Sequence, residues 1–227
     1  AFVVRADDLS AVEFNPAGLA RLRGLMIQVG NRFSYNALSY TRDPTLDWGN
    51  VIDGVPPNVA FATVNNQKPW QLLDPLIGVA SNLGLDGWGF ALAAYAPAGV
   101  GRQAFPADGG QRYLMVSREA AILNYSASAA WQYRERFGVG VSLQWIHVPR
   151  LNYELMVDAY RQNREANPVS SEFDMLAKTT GSDPFTFNAI VGAWFRPLPF
   201  LEFGASGQVI PTQIKTNSRL SIEPYSP

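Results

Sequence analysis

Apolar side chains alternate with small polar ones along several stretches of this chain. Between residues 137 and 145, one set is Val139, Val141 and Leu143 and the intervening set is Gly140, Ser142 and Gln144. Successive side chains of a β-strand point to opposite faces, and helical spacing does not reproduce this split, so the alternation predicts strands. Seven stretches are predicted as strands and span residues 24–41, 70–84, 88–96, 117–134, 137–156, 184–196 and 200–217.

The connections between these strands alternate in length. Three are short, at Leu85–Gly87, Arg134–Arg136 and Pro197–Pro199, and three are long, at residues 42–58, 97–116 and 157–184. Short turns at one rim and long loops at the other are typical of a transmembrane antiparallel β-barrel. Aromatic residues cluster beside the short turns, where an interfacial girdle is expected: Trp88, Trp131, Tyr133, Phe137, Phe195 and Phe200.

Composition favours the same all-β membrane fold. Charged residues make up only 16% of the chain, against roughly 25% in an average soluble domain. No run approaches the roughly 18 apolar residues of a transmembrane helix, so a chain that enters a bilayer must do so as a closed barrel. The alternative is a soluble β-sandwich, but the polar faces here are rich in Gly, Ser, Asn and Gln and poor in Lys and Glu.

Several classes of function are disfavoured. The net charge is -1 and no basic run occurs, so nucleic acid is not an expected partner. The chain has no cysteine, and its single histidine, His147, falls on the apolar face of its strand. Asp7 and Asp8 are paired carboxylates without a positioned partner. We therefore expect no enzymatic activity, no catalytic residues, no metal and no cofactor.

The long loop at residues 157–184 contains two segments with helical character. Asp158–Ala166 reads as a short polar helix, and Ser171 to Asp174 matches a capping box that would open a second helix. Met175 and Leu176 follow the capping box and give this predicted helix an apolar face.

The first 22 residues are not strand-like. An acidic pair, Asp7 and Asp8, is followed by a hydrophobic stretch and then by Asn15-Pro16-Ala17-Gly18-Leu19, directly before the first strand. Gly87-Trp88-Gly89-Phe90 later leads to Tyr95-Ala96-Pro97-Ala98-Gly99. These elements resemble the plug, or hatch, and the third strand of the FadL / TodX family of outer-membrane transporters for hydrophobic compounds.

The resemblance implies a fourteen-stranded barrel in the outer membrane of a Gram-negative bacterium. Residues 1–22 would form an incomplete hatch, with Asn15, Pro16 and Ala17 against the wall, and residues 23–227 the N-terminal half of the barrel. The implied activity is passive uptake of hydrophobic compounds such as long-chain fatty acids, which in the family leave sideways at a kink in the third strand. The alternative is a FadL-like barrel that serves as a structural scaffold in an outer-membrane assembly.

Seven strands leave two open edges, which cannot face lipid. The remainder is expected from a missing C-terminal half, a second chain or other copies of this chain, and we favour the missing half. The expected partners are therefore hydrophobic small molecules, outer-membrane lipid and the polypeptide that closes the barrel.

Five residues are candidates for ligand binding. Strict alternation places Arg150 and Asn152 on the inward face, near the position where the family has a basic residue for a ligand head group. The other reading of Arg150 is a solvated charge paired with Glu154. In the two long loops, Phe105, Phe173 and Leu176 are expected to form an apolar groove over the barrel mouth, because exposed apolar side chains on loops need each other or a ligand.

Overall fold

The computed structural model describes residues 8–43, 61–97, 101–159 and 173–225. A short helix, α1 (Ala11–Phe14), and a 3-10 helix (Pro16–Arg21) precede the strands. The strands are β1 (Leu25–Asn31), β2 (Ser34–Tyr35), β3 (Ser39–Tyr40), β4 (Val64–Asn65), β5 (Trp70–Gln71), β6 (Pro75–Ser81), β7 (Trp88–Tyr95), β8 (Arg102–Ala104), β9 (Ser117–Tyr133), β10 (Phe137–Asp158), β11 (Asp174–Leu198), β12 (Leu201–Ile210) and β13 (Asn217–Pro224).

One antiparallel sheet dominates the described residues. Its strands lie in the order β1-β6-β7-β9-β10-β11-β12, with β8 paired to β9 and β13 paired to β11. The fold is therefore all-β, as predicted, and within the described part of the chain the sheet keeps two open edges, at β1 and at β12 with β13. Among these residues no helix is both long and apolar enough to cross a bilayer.

Two of the short turns match the prediction closely. The β9–β10 turn places Arg134 and Glu135 at φ 48 and 54, the positive values of the tight turns that join twisted antiparallel strands. The β6–β7 turn has Gly87 at φ 76. The third turn lies at Pro199 and Phe200, because β11 continues through Pro197 to Leu198.

Three predicted strands are interrupted. The stretch 24–41 is divided into β1, β2 and β3, and the stretch 70–84 into β5 and β6. The stretch 200–217 ends as a strand at Ile210, after which β13 begins at Asn217. Residues 211–216 bridge this gap and are held by β11. Asp183 accepts a hydrogen bond from the backbone of Lys215 at 2.7 Å, and the Asn188 side chain donates to Thr212 at 3.1 Å.

The helix predicted after Ser171 is wrong. Residues from Asp174 onward form the first part of β11 and pair with β10 from Val157↔Met175 to Asn152↔Thr180. The loop between β10 and β11 is therefore shorter than the predicted 157–184. A capping box is a weak local signal, and here the pairing with β10 overrides it. The helix predicted at Asp158–Ala166 lies largely outside the described residues.

A β-bulge at residues 147–150 reverses the faces of β10. His147 is paired with Leu123 and Arg150 with Ala121, so β10 uses one residue more than β9 across this step. The pairing with β11 contains two shifts in the same region, after which Leu151 lies opposite Gly181. Directly opposed residues share a face, and an extra residue moves every later side chain to the other face. Pro149, which lacks a backbone N–H, sits inside this bulge.

Below the bulge, the observed faces agree with the predicted alternation. Val141, Leu143, Phe187 and Phe203 are exposed on the outer face, whereas Asn124, Ser126, Gln144 and Asn188 are buried on the inner face. The main cluster of buried residues lies between this inner face and the N-terminal helices, and includes Leu9, Val12, Leu19, Ala80, Ala91 and Tyr95.

Candidate functional site

The N-terminal helices rest on the inner wall through the predicted hatch motif. The Asn15 side chain accepts a hydrogen bond from the Ala17 backbone at 3.1 Å and donates one to the Ala193 carbonyl at 3.1 Å. Trp194 donates its indole N–H to the Ala17 carbonyl at 3.1 Å. Pro16 is fully buried in the same contact. The structure thus brings Asn15, Pro16 and Ala17 together against β11; residues 1–7 lie outside the described residues.

Glycines in the wall make room for this hatch. A β-carbon at Gly140 would lie 2.5 Å from the Ala17 nitrogen, and one at Gly192 would overlap the Asn15 side-chain oxygen. A β-carbon at Gly89 would overlap the Leu19 carbonyl. Three strands of the sheet, β7, β10 and β11, therefore carry glycine where the backbone of the hatch approaches the sheet most closely.

Polar side chains of the inner wall are hydrogen-bonded to each other and to the hatch. Gln144 donates to the Tyr95 hydroxyl at 2.6 Å and lies 3.4 Å from the Val12 carbonyl. Ser128 and Ser142 are joined at 2.8 Å. Below the bulge, the lumen is consequently lined by polar groups that the hatch covers.

The face predicted for Arg150 and Asn152 is wrong. Because of the bulge, Arg150 shares a face with Ala121, and Asn152 lies between Glu119 and Thr180 on that same outer face. Arg150 forms an ion pair with Glu119 at 3.0 Å. The pair expected with Glu154 is not formed; Glu154 instead contacts Lys178 at 3.1 Å. The prediction from strict alternation placed these residues on the wrong face, because alternation along the sequence does not reveal the added residue of a β-bulge.

The same reversal turns apolar side chains inward above the bulge. The registers of β10, β11 and β13 align inner-face residues in three rows: Leu155, Ala177 and Ile222; Tyr153, Thr179 and Leu220; and Val157, Met175 and Pro224. Leu220 and Ile222 are exposed to the extent of 62% and 50%. We call these nine residues the upper inner wall. Pro149 within an otherwise regular strand was the one sequence signal that could have indicated it.

The three residues predicted to form an apolar groove over the barrel mouth lie in different surroundings. Phe105 is buried, Phe173 is 44% exposed, and Leu176 lies on the outer face opposite Met156. The loop at 105–116 does meet the start of β11, but through polar groups. Arg112 contacts Asp174 at 2.7 Å with both side chains almost fully buried.

Tyr113 completes this contact. Its hydroxyl donates to Asp174 at 2.7 Å. Burial is the main reason that the pKa of the Tyr113 hydroxyl is raised, and the hydrogen bond to Asp174 adds to the shift. The protonated, donating form of Tyr113 is therefore favoured. We call Arg112, Tyr113 and Asp174 the loop latch.

A gap in strand pairing lies beside β9. β7 ends opposite Asn124 and β8 begins opposite Glu119, so residues 121–123 lack a strand partner on this side among the described residues. A cavity of about 320 Å³ occupies this position. Its lining is largely apolar and includes Trp70, Leu72, Leu73, Ile122 and Leu123. It coincides with the end of the third predicted strand, where the family resemblance implies a lateral exit.

Candidate metal sites are not found in the part of the chain described. No group of three or more His, Asp or Glu side chains lies close enough there to hold an ion. The site that the structure offers is a wall with a plug, an apolar upper lining and a lateral gap.

An antiparallel wall with an N-terminal plug on its inner face defines the class of plugged β-barrels. No protein-family model and no curated protein matches the sequence. Two solved structures do match in fold. A FadL homologue from Pseudomonas aeruginosa gives a TM-score of 0.60 at 16% identity, with 88% of this chain and 47% of that chain covered.

The second structure is the toluene transporter TbuX from Ralstonia pickettii. It gives a TM-score of 0.67 at 14% identity, with 95% of this chain and 56% of that chain covered. The chain therefore has the fold of the FadL-type transporters and spans about half the length of both structures. At the level of fold, the resemblance found in the sequence is confirmed.

Proposed function

We propose that this chain forms about half of the wall, and part of the hatch, of an outer-membrane channel that admits hydrophobic compounds by passive diffusion. The observation that carries this proposal is the upper inner wall. Apolar side chains of three neighbouring strands face inward there, and such a surface is typical of a site for an apolar ligand. The channel acts without a catalytic step.

The fold supports the class of substrate. One structural neighbour is a toluene transporter and the other is a FadL homologue. Long-chain fatty acids and aromatic hydrocarbons are therefore the two substrate types to compare. An apolar lining discriminates weakly between similar apolar molecules, so we propose the class rather than one compound.

The proposed path has three parts. Substrate binds first to the upper inner wall, beside the loop at 105–116, whose Leu114 carbonyl accepts a hydrogen bond from the Tyr153 hydroxyl. The hatch blocks straight passage below the bulge, because its helices cover the polar lumen. The largely apolar cavity beside residues 121–123 then offers a sideways exit into the membrane.

A barrel requires more strands than this sheet supplies. The open edges at β1 and at β12 with β13 cannot face lipid unpaired. We propose that further strands of the same polypeptide close a fourteen-stranded barrel in the outer membrane of a Gram-negative bacterium.

Uptake into liposomes that contain the full-length protein tests the proposal. The variant Leu155→Asp with Ile222→Asp places two charges in one row of the upper inner wall and should reduce entry of labelled oleate and of toluene at least about tenfold, since an isolated charge is poorly accommodated in an apolar site. The matched control is Asn152→Asp with Ser221→Asp, which adds two charges on the outer face of the same strands. Equal loss in both variants would contradict the proposed site.

The alternative is a scaffold in an outer-membrane assembly. It is favoured by the hatch, which covers the inner wall below the bulge with backbone and polar contacts. If the folded, full-length protein moves neither substrate, the scaffold becomes the better explanation.

A further inference from the structure

The outer face above the bulge carries a polar groove of about 800 Å³. Its side chains come from three neighbouring strands and share the outer face: Arg150 and Asn152 on β10, Thr180 and Ser182 on β11, and Asn217 and Arg219 on β13. We call these six residues the outer groove. Pro149, Gly181, Thr216 and Ser218 complete the lining, whereas the inner-face residues Tyr153 and Leu220 take no part in it.

The outer groove is rich in hydrogen-bond donors. Arg150 is partly neutralised by Glu119 at 3.0 Å, whereas Arg219 forms no ion pair with any residue that the structure describes. Two guanidinium groups flanked by amide and hydroxyl groups suit a phosphate, because guanidinium binds phosphate oxygens through paired, charge-assisted hydrogen bonds. The groups present do not suit an apolar ligand.

The groove also lies at a defined height on the wall. Directly below it, Trp145 packs against Tyr125 at 4.9 Å and Phe185 at 6.2 Å between ring centroids on the outer face. A second aromatic group, Trp131 with Phe137 at 5.6 Å, lies at the short-turn end. The eight steps from Phe137 to Trp145 cover about 27 Å of strand, or roughly 20 Å after barrel tilt, which is close to the apolar band of an outer-membrane barrel.

Aromatic side chains of this kind mark the membrane interface. The outer groove therefore begins where the head groups of the outer leaflet begin. We propose that it binds the phosphate of a phosphorylated glycolipid in the outer leaflet and so fixes the height of the barrel in the membrane. This inference rests on the proposed membrane orientation, with the short turns on the periplasmic side.

Native mass spectrometry of the full-length protein tests the inference. The protein is reconstituted with bisphosphorylated lipid A, with dephosphorylated lipid A, or with phosphatidylcholine and inorganic phosphate. We expect retention of the bisphosphorylated lipid and a loss of about fivefold for Arg219→Gln and about 25-fold for Arg150→Gln with Arg219→Gln, since each arginine near a membrane surface contributes a factor of about five. Arg23→Gln is the matched control, because Arg23 is a similarly exposed arginine that contacts Asp86 and Glu135 at the short-turn rim.

The outcomes separate this inference from the proposed function. Equal retention of the two forms of lipid A, or equal loss in Arg23→Gln, would overturn the phosphate site. Saturation of the site by inorganic phosphate with the same dependence on Arg219 would overturn the lipid assignment. Phosphate-dependent retention in a protein that transports no hydrophobic substrate would support the groove while the transport proposal fails.

Discussion

Trp194 and Ala17 are joined by a hydrogen bond of 3.1 Å from the indole nitrogen to the backbone carbonyl oxygen, across 177 positions of sequence. Trp194 is almost fully buried, and the guanidinium of Arg21 lies 3.8 Å above its ring. Arg21 also forms an ion pair with Glu202 on β12. The hatch is thus held at its end by β11 and β12 as well as by its own apolar core.

The fit of the hatch predicts that a single methyl group will displace it. Gly140→Ala should destabilise the docked hatch by about 1–3 kcal/mol, because overpacking forces backbone or side chains to shift. The chain has no cysteine, so Ala11→Cys provides a unique thiol in the hatch. Labelling of this thiol should be faster in the Gly140→Ala background.

Gly207→Ala is the matched control for that experiment. A β-carbon at Gly207 meets no atom within 4 Å, so this variant should label at the rate of the parent. Equal labelling rates for Gly140→Ala and Gly207→Ala would show that the hatch does not depend on the close contact.

The exposed outer face predicts a large cost for a charge near the bilayer midplane. Val141 lies midway between Phe137 and Trp145 on the outer face. Val141→Arg should lower the free energy of unfolding in lipid vesicles by about 2–4 kcal/mol. Gln208→Arg, on the exposed inner face of β12, should cost much less, and similar losses for both variants in urea unfolding would argue against a lipid-facing wall.

The loop latch predicts strong dependence on both charged partners. Arg112 and Asp174 are buried at 3% and 1% side-chain exposure, and removing one partner of such a pair leaves the other charge uncompensated. Asp174→Asn should therefore destabilise the loop by about 3–5 kcal/mol. Hydrogen exchange at residues 105–116 should rise sharply, while exchange in β9 below the bulge should not change.

Tyr113→Phe is the milder test of the latch. It removes the hydrogen bond that Tyr113 donates to Asp174 and the one that it accepts from Arg112 at 3.0 Å, and it leaves the ion pair, so we expect a loss of about 1–3 kcal/mol. If Tyr113→Phe and Asp174→Asn raise exchange equally, the ion pair is not the dominant contact.

The carboxyl groups of Glu13 and Asp74 should stabilise the folded state more at low pH than at neutral pH. Burial raises the pKa of the Glu13 carboxyl above its ordinary value of 4.5; Arg32 opposes this shift and Asp74 adds to it. Burial likewise raises the pKa of Asp74, again opposed by Arg32. Because the folded state then binds these protons more tightly than the unfolded state, stability is greatest below the unfolded pKa and falls as pH rises through the folded pKa.

Thermal unfolding of the full-length protein in lipid at about pH 4 and about pH 7 measures this dependence. The variant Glu13→Gln with Asp74→Asn should remove this contribution, so the change in stability from pH 4 to pH 7 should be more positive than in the parent protein. Glu223→Gln, on an exposed strand position at the opposite end, should leave it unchanged. The same pH dependence in Glu13→Gln with Asp74→Asn as in the parent protein would contradict the assignment.

The sequence by itself determined the fold class and most of the barrel wall. Alternation located β7, β9 and β10 within two residues at each end, because a sheet with an apolar outer face and a polar inner face covered by the hatch requires period two at almost every position. The Asn-Pro-Ala-Gly-Leu segment before the first strand also indicated the hatch, since an apolar segment without strand character must be buried somewhere.

Tertiary structure alone decided the faces above residue 147. The added residue of the bulge around Pro149 is hard to recognise from the neighbouring sequence. It nevertheless places Arg150 and Asn152 on the outer face and Leu155 on the inner face. The segment after Ser171, expected to be a helix, is likewise a strand because Met175 pairs with Val157 on the neighbouring strand. Register is fixed by hydrogen bonds between strands, and these contacts are absent from any local pattern of residues.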